Sequence, residues 1–439
     1  AVVLVSMAEA VRAAAATSTW NQASGYWDTT TSNWTGAAWV NGNDAVFGGT
    51  AGSTITITTS GISAASLTFN VNGDTIAGSV TNNLTLLGSV SLSVGTSLTA
   101  TLSAPVAGSV GLTKTGAGTL LLTAASNPFT GTTTVNGGTL VARGVQASTP
   151  LSLSGGTFEL DAGAGGVLPT SATLTLGTVT FGKGSFILNN TTASGATSQT
   201  LASLTVPNQT SSDNSVQVTR TAAQPVSLIF TALSNNSSES GNVINFITSD
   251  VAGGGVNGTG YKIVLADQAV SKITKQNAYF NGGDFAVYDI AVGTGLNGFV
   301  RGITYGTDVG TATSAGGASF AAGTAQEITG SITAQPTVSL AVLTTGTLLN
   351  GSLKIVGASN VTMSASDQTL TIYQTGNTGA SGLLKTGGGT SVLSGGSLSM
   401  SAVQTIFRVD GSTDVLNIAM PIRWDANSRL MKSGAGTLI

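Results

Sequence analysis

Cysteine and histidine are both absent from the 439 residues. Their absence excludes the common zinc ligand sets, the Ser-His-Asp triad and the Cys-His dyad. It also leaves stability to packing and strand ladders, with no disulfides to help. Charge is nearly as scarce: Asp, Glu, Lys and Arg make up 8% of the chain, against about 25% in an ordinary soluble domain. With a net charge of -3 and a pI near 4.9, no large cationic surface for nucleic acid is expected. Long apolar runs are missing too, so no segment approaches the roughly 20 apolar residues of a membrane-spanning helix.

What is present is Gly, at 60 positions, together with abundant Thr, Ser, Ala and Asn. Gly and Ser with little charge would suit a disordered chain, but disorder also requires low hydrophobicity. Here 41% of residues are hydrophobic and mean hydropathy is +0.31, in short runs spread evenly along the chain. Such a chain collapses or pairs. Apolar side chains recur two apart with hydroxyls between them, as at Ile55 and Ile57, Leu84 and Leu86, Leu151 and Leu153, Leu174 and Leu176, Leu353 and Ile355, and Leu370 and Ile372. Period two puts them on one face of a strand, and Thr suits the other face. Asn-Gly pairs at Asn41-Gly42, Asn72-Gly73, Asn136-Gly137, Asn257-Gly258, Asn281-Gly282, Asn297-Gly298 and Asn350-Gly351 mark tight turns. The fold class read from this pattern is all-β.

Self-comparison reveals a repeat. GLTKTGAGTLLLT (111–123), GLLKTGGGTSVLS (382–394) and RLMKSGAGTLI (429–439) share the frame L-x-K-[TS]-G-x-G-T. Units of this kind belong to solenoids, in which each coil buries its apolar face only against its neighbours. At roughly 20 to 25 residues per coil and ~4.8 Å per level, one rod of about 20 coils would be about 90 to 100 Å long. Lys114, Lys385 and Lys432 adjoin the Gly-x-Gly turn, and a lysine there is expected to lay its stem on the apolar flank with its ammonium in water. The motif is not a phosphate-binding loop, which needs four residues between its glycines, then Lys-Ser/Thr and a helix.

The first copy continues into SNPFTGTTTVNGGTLVA and ends at Ala142. Leu112 to Ala142 therefore resembles the autotransporter-associated β-strand repeat, also called the passenger-associated transport repeat. The stretch from NWTGAAWVNGNDAVFGG (33–49) to SLTF (66–69) resembles the N-terminal segment of large bacterial proteins carrying it. The resemblance implies a secreted right-handed parallel β-helix, an elongated β-solenoid displayed on a Gram-negative-type surface. It also implies adhesive or structural work, surface glycans or other cells as partners, and a C-terminal anchor or barrel outside this chain. It brings no cofactor and no catalytic residues.

The chain divides by composition. AVVLVSMAEAVRAAAA (1–16) reads as the remnant of a signal peptide, with small residues at A-x-A spacing. A Trp-rich cap follows at 17–50, then solenoid at 51–204 with the first repeat at 111–142, a less regular β segment or insertion at 205–335, and solenoid again at 336–439, stopping within a repeat. Trp20, Trp27, Trp34 and Trp39 are either a cover for the open end of the first coil or stacking platforms for sugar rings. Glu159 and Asp161 would share a strand face, about 7 Å apart, within reach of glycosidase geometry. A polysaccharide-active β-helix enzyme is thus a rival reading, and a self-associating matrix protein is another. The non-repetitive segment from Tyr261 to Arg301 interleaves aromatic and charged groups. Its Tyr261, Lys262, Lys272, Lys275, Tyr279, Asp284, Tyr288 and Arg301 are the candidate ligand surface.

Overall fold

The computed structural model describes residues 15–148, 150–180, 182–191, 195–207, 211–235, 242–267, 272–273, 277–289, 298–308, 310–317, 319–340, 352–372, 380–400, 404–423 and 429–439. Residues 1–14, most of the expected signal remnant, lie outside that set. Among the described residues the only helical turn is a 3-10 turn at Ala162–Ala164, and strand runs from end to end.

The all-β expectation is met as a parallel β-solenoid. One face of the first stack is an 11-stranded sheet that starts at Thr17–Trp20 and passes through Leu112–Thr115 to Leu233–Asn235. A second face is a 14-stranded sheet that starts at Gly25–Trp27 and is parallel through Val243–Asp250. Thr197–Leu201, Val226–Phe230 and Tyr261–Leu265 form a third face beside the later coils. Coils grow along the stack: a buried contact from Asn127 to Val106 spans 21 residues, and the matching one from Asn214 to Gly184 spans 30.

Period-two patterning sets the register. Leu120, Leu140, Phe158, Phe186, Val216 and Phe246 stack level upon level in one inward row. All are buried, as the alternation requires. Phe158 and Phe186 stack with ring centroids 5.9 Å apart.

A second stack begins at Thr311–Ser314. Its faces are sheets of six, five and four strands, which end among the described residues at Arg429–Ser433, Thr437–Leu438 and Ile422–Arg423. Between the stacks, Lys272–Ile273, Ala278–Phe280, Asp284–Asp289 and Phe299–Gly302 pair antiparallel. Asn281 (φ +48) and Gly282 (φ +72) turn that hairpin, both in the left-handed region where Asn and Gly are tolerated.

The coils are therefore divided between two stacks and are not threaded on one line. The second stack advances back along the first. Lys354, in an early coil of the second stack, pairs with Asp284. Arg408, further on, donates to Gly282 O at 3.0 Å and lies 3.7 Å from Asp213, and the Gly434 amide reaches Asp213 at 3.4 Å. A separate apolar cluster fills the seam, with Val243, Tyr279, Phe285 and Val287 on one side and Ala325, Leu384 and Ile406 on the other. The antiparallel hairpin is what permits this return, because it ends the parallel progression and offers its outer apolar side as a floor.

Candidate functional site

The seam accounts for much of the segment singled out for its aromatics and charges. Tyr279 and Tyr288 are buried, so they are not on a surface that could meet a ligand. The Tyr279 ring lies 5.0 Å beneath the Arg408 guanidinium, and Tyr288 packs into the first core. Burial pushes both phenols above their usual range. Asp284 is tied to Lys354, which also holds Glu327 at 3.1 Å and sits 5.4 Å from the Tyr305 ring. Burial raises the Asp284 carboxyl despite that lysine. Arg301 is clamped by Asp308 through two bonds of 2.8 and 2.9 Å and by Asp289 at 2.7 Å, so its fork is filled. Tyr261 and Lys262 remain half-exposed on the third face, opposite Val226 and Ser227. Lys272 pairs by backbone with Tyr288, and Lys275 lies outside the described residues. The structure brings Asp284 and Tyr279 to one seam and leaves Tyr261, Lys262 and Arg301 apart from it.

Of the three frame lysines Lys432 is exposed, as expected, while Lys114 and Lys385 are buried and correct the expectation of a solvated ammonium. Lys114 occupies an inward position, level with Leu92 and Val135, and is wholly buried. Its Nζ donates to the carbonyls of Thr115, Gly116 and Gly137 at 2.6, 2.9 and 3.2 Å. Period two drives the stem inward like any apolar residue at that place, and the glycine turn closes over the amine. Gly116 has φ +70, and a Cβ on it would lie 2.3 Å from Val94 O, so the turn sits directly on the coil below. Desolvation lowers the Lys114 amine to about 8.

The four tryptophans form a closed cluster, all at most 2% exposed. Trp27 meets Trp34 and Trp39 edge-on at 4.9 and 5.1 Å, and Phe47 and Phe69 continue the stack below them. Sugar platforms must be accessible, and these rings are not. Of the paired acids, Glu159 accepts from Asn189 at 2.9 Å. Asp161 is buried and accepts from Arg143, Thr191 and the Ala164 amide. Among the described residues no three acidic groups gather in a way that could hold a metal ion.

The outward side of the coils presents a different chemistry. On the first face Thr17, Asp44, Ser66, Ser91, Thr113, Thr134, Ser152, Thr175 and Thr205 occupy successive levels of one column. Apart from Asp44, each carries a hydroxyl, at the ~4.8 Å strand spacing. A second column, Thr99, Thr119, Thr139, Thr157, Ser185 and Ser215, runs along the other face. Neighbouring hydroxyls bond each other, as Ser185 and Ser215 do at 2.8 Å. Individual Thr and Ser between apolar residues were legible in the sequence; their alignment depends on coil lengths, which vary. At the capped end, Ser24, Gly25, Tyr26, Thr54 and Thr56 line a shallow concavity of about 430 Å³. Tyr26 stands 61% exposed over it, a residue that sequence reasoning passed over beside four tryptophans.

The comparisons agree with the repeat seen in the geometry. The passenger-associated-transport-repeat family matches residues 112–142. These are the coil from the buried Lys114 through the stacked strand Thr139–Ala142. The chain is also similar to the "Adhesin BmaC autotransporter" of Brucella suis biovar 1 (strain 1330), at 38% identity over 151 residues. That match covers 33% of this chain and 4% of the relative, so the chain corresponds to a small part of that protein. No solved structure matches. Residues 112–142 thus match a passenger-associated transport repeat, built into a longer β-solenoid.

Proposed function

We propose that this chain is part of the passenger of a secreted adhesin, held outside a Gram-negative-type cell, where it adheres by many weak polar contacts. The observation that carries the reading is the hydroxyl column from Thr17 to Thr205. Apart from Asp44, the column offers a hydroxyl donor and acceptor at every level, so contacts too weak singly add up through multivalency. The named adhesin relative supports it. In this reading 1–16 belongs to an export signal, 17–50 caps the first coil, and the partners are surface glycans or other cells. It assigns no catalysis, since the acids that approach basic groups in the seam are consumed in ion pairs.

Beads coated with the 439-residue chain test it by retention under flow on epithelial monolayers, extracellular-matrix films and bacterial lawns. Retention above albumin-coated beads is expected on one or more of these. It should fall by about threefold or more when Thr113, Thr134, Thr175 and Thr205 become valine, which keeps strand propensity and removes the hydroxyls. Retention no better than albumin on every surface overturns adhesion. Beads that bind only one another point to the matrix reading.

A further inference from the structure

The geometry points to the concavity at Tyr26 as a binding site for a neutral oligosaccharide, a substrate class that rests on the adhesin reading and narrows it. Tyr26 is the only aromatic among the strongly exposed large residues that the structure describes, although every tryptophan around it is buried. The strand alternation that turns Trp27 inward holds the Tyr26 ring outward, over the concavity that Ser24, Thr54 and Thr56 line with it.

The platform is rigid. Gly25 lies so close to the Trp20 ring that a Cβ there would sit 3.1 Å from it. Trp27, on the other side of Tyr26, is locked in the four-ring cluster. Asn33 Nδ2 donates to the Tyr26 carbonyl at 2.8 Å, and Ser24 Oγ accepts from the Thr54 amide at 2.8 Å. The strand that carries the ring is therefore fixed before any ligand arrives, which lowers the entropy lost on binding.

The lining selects the ligand. A flat ring face takes the C–H side of a pyranose, and the hydroxyls of Ser24, Thr54 and Thr56 both donate and accept, as sugar hydroxyls require. No lining residue is charged. Of the acids beside the lining in sequence and register, Asp28 is turned onto Thr30 and Thr31, and Asp74 is buried and accepts from the Ser53 amide. An anionic or cationic ligand finds no counter-charge. The volume, about 430 Å³, lies in the ~300–1,000 Å³ range of small-ligand sites. The outward hydroxyls continue down the stack from Thr54 to Thr75 and Thr101, giving further sugar units a path along the axis.

Titration calorimetry and saturation-transfer NMR on the full chain, using tetrasaccharides of glucose, galactose, mannose and N-acetylglucosamine, test the site. At least one should bind, with Kd in the ~0.1–1 mM range of a shallow site. Tyr26→Ala should weaken it tenfold or more, Tyr26→Phe should keep most of it, and Thr54→Val with Thr56→Val should weaken it severalfold. Unchanged tryptophan emission verifies that the cap stays folded. No binding by any of the four, or equal binding by Tyr26→Ala, overturns the site. The bead assay separates the two readings: wild-type beads that adhere while no tetrasaccharide binds leave adhesion standing and remove this site, and beads that never adhere remove adhesion itself.

Discussion

The two stacks solve one problem in different ways. Two copies of the repeat frame, one in each stack, bury their lysine beneath a glycine turn, and a buried ammonium must be compensated. In the first stack Lys114 is met by three backbone carbonyls and no acid. In the second, Lys385 is equally buried but donates to Thr386 O, Gly388 O and the Asp414 carboxylate at 3.0, 2.8 and 2.7 Å. Asp414 comes from the next level, since Gly389 registers with it, so this pair ties two coils together. The first stack relies on long apolar rows closed by a tryptophan cap, and the second has a smaller apolar cluster with the Lys385–Asp414 ion pair wholly buried in its frame. A repeat motif thus preserves the shape of a turn while the coil above it decides the electrostatics.

The strongest way to break this comparison is Lys385→Met. It leaves the Asp414 carboxylate buried with the Gly388 and Gly411 amides as its donors and no cation. Removing one partner of a buried pair costs about 3–5 kcal/mol. A solenoid loosens coil by coil, so the loss should appear as faster hydrogen exchange in 380–419, with 112–142 unchanged. Adding Asp414→Asn should restore part of the protection. Unaltered exchange in 380–419 would mean that the ion pair contributes nothing the carbonyls do not.

Lys114→Met should be milder, about 1–3 kcal/mol, since it strands carbonyl oxygens but no charge. Its signature is in pH. The folded amine titrates at about 8 and the unfolded one near ~10.4. Between those values the unfolded chain holds the extra proton, so the first stack gains stability as pH rises through that window. Below about 8 the burial penalty is present in full. Hydrogen exchange in 112–142, corrected for its intrinsic pH dependence, should slow from pH 8 to 10 in the wild type and not in Lys114→Met.

Strand identity, the repeat and the inward rows were legible because they depend on local alternation, which one sequence displays. Lys114 and Lys385, unlike the exposed Lys432, were misplaced for an instructive reason. Lys114 follows Leu112 by two, so period two already put it inside, and only the habit of placing lysine in water argued otherwise. The return of the second stack was not legible, because it depends on Arg408 meeting Gly282 and Asp213, partners with no local pattern between them. Tyr279, Tyr288 and Arg301 stood out in sequence for real reasons, but those reasons are packing and ion pairing. Tyr26 and the hydroxyl columns are ordinary residues until register aligns them.

The smallest effect sharpens the contrast at the cap. Asp28 is buried, which by itself would raise its carboxyl. Thr30 and Thr31 outweigh that with backbone and hydroxyl donors at 2.6 to 3.0 Å and hold it at about 2. Because the folded value lies below the unfolded one, its contribution is present above pH ~4 and is lost as pH falls through about 2. Asp28→Asn should therefore cost about 0.5–1.5 kcal/mol at neutral pH and flatten the acid limb between pH 4 and 2. Tryptophan emission reads this at the cap, where Trp20, Trp27, Trp34 and Trp39 cluster. Exchange in 380–419 reads the second stack in the same titration. If the variant moves the emission alone, the stacks respond independently. If both move together, the seam through Asp213 and Arg408 carries the strain from one stack to the other, and the two belong to a single cooperative unit.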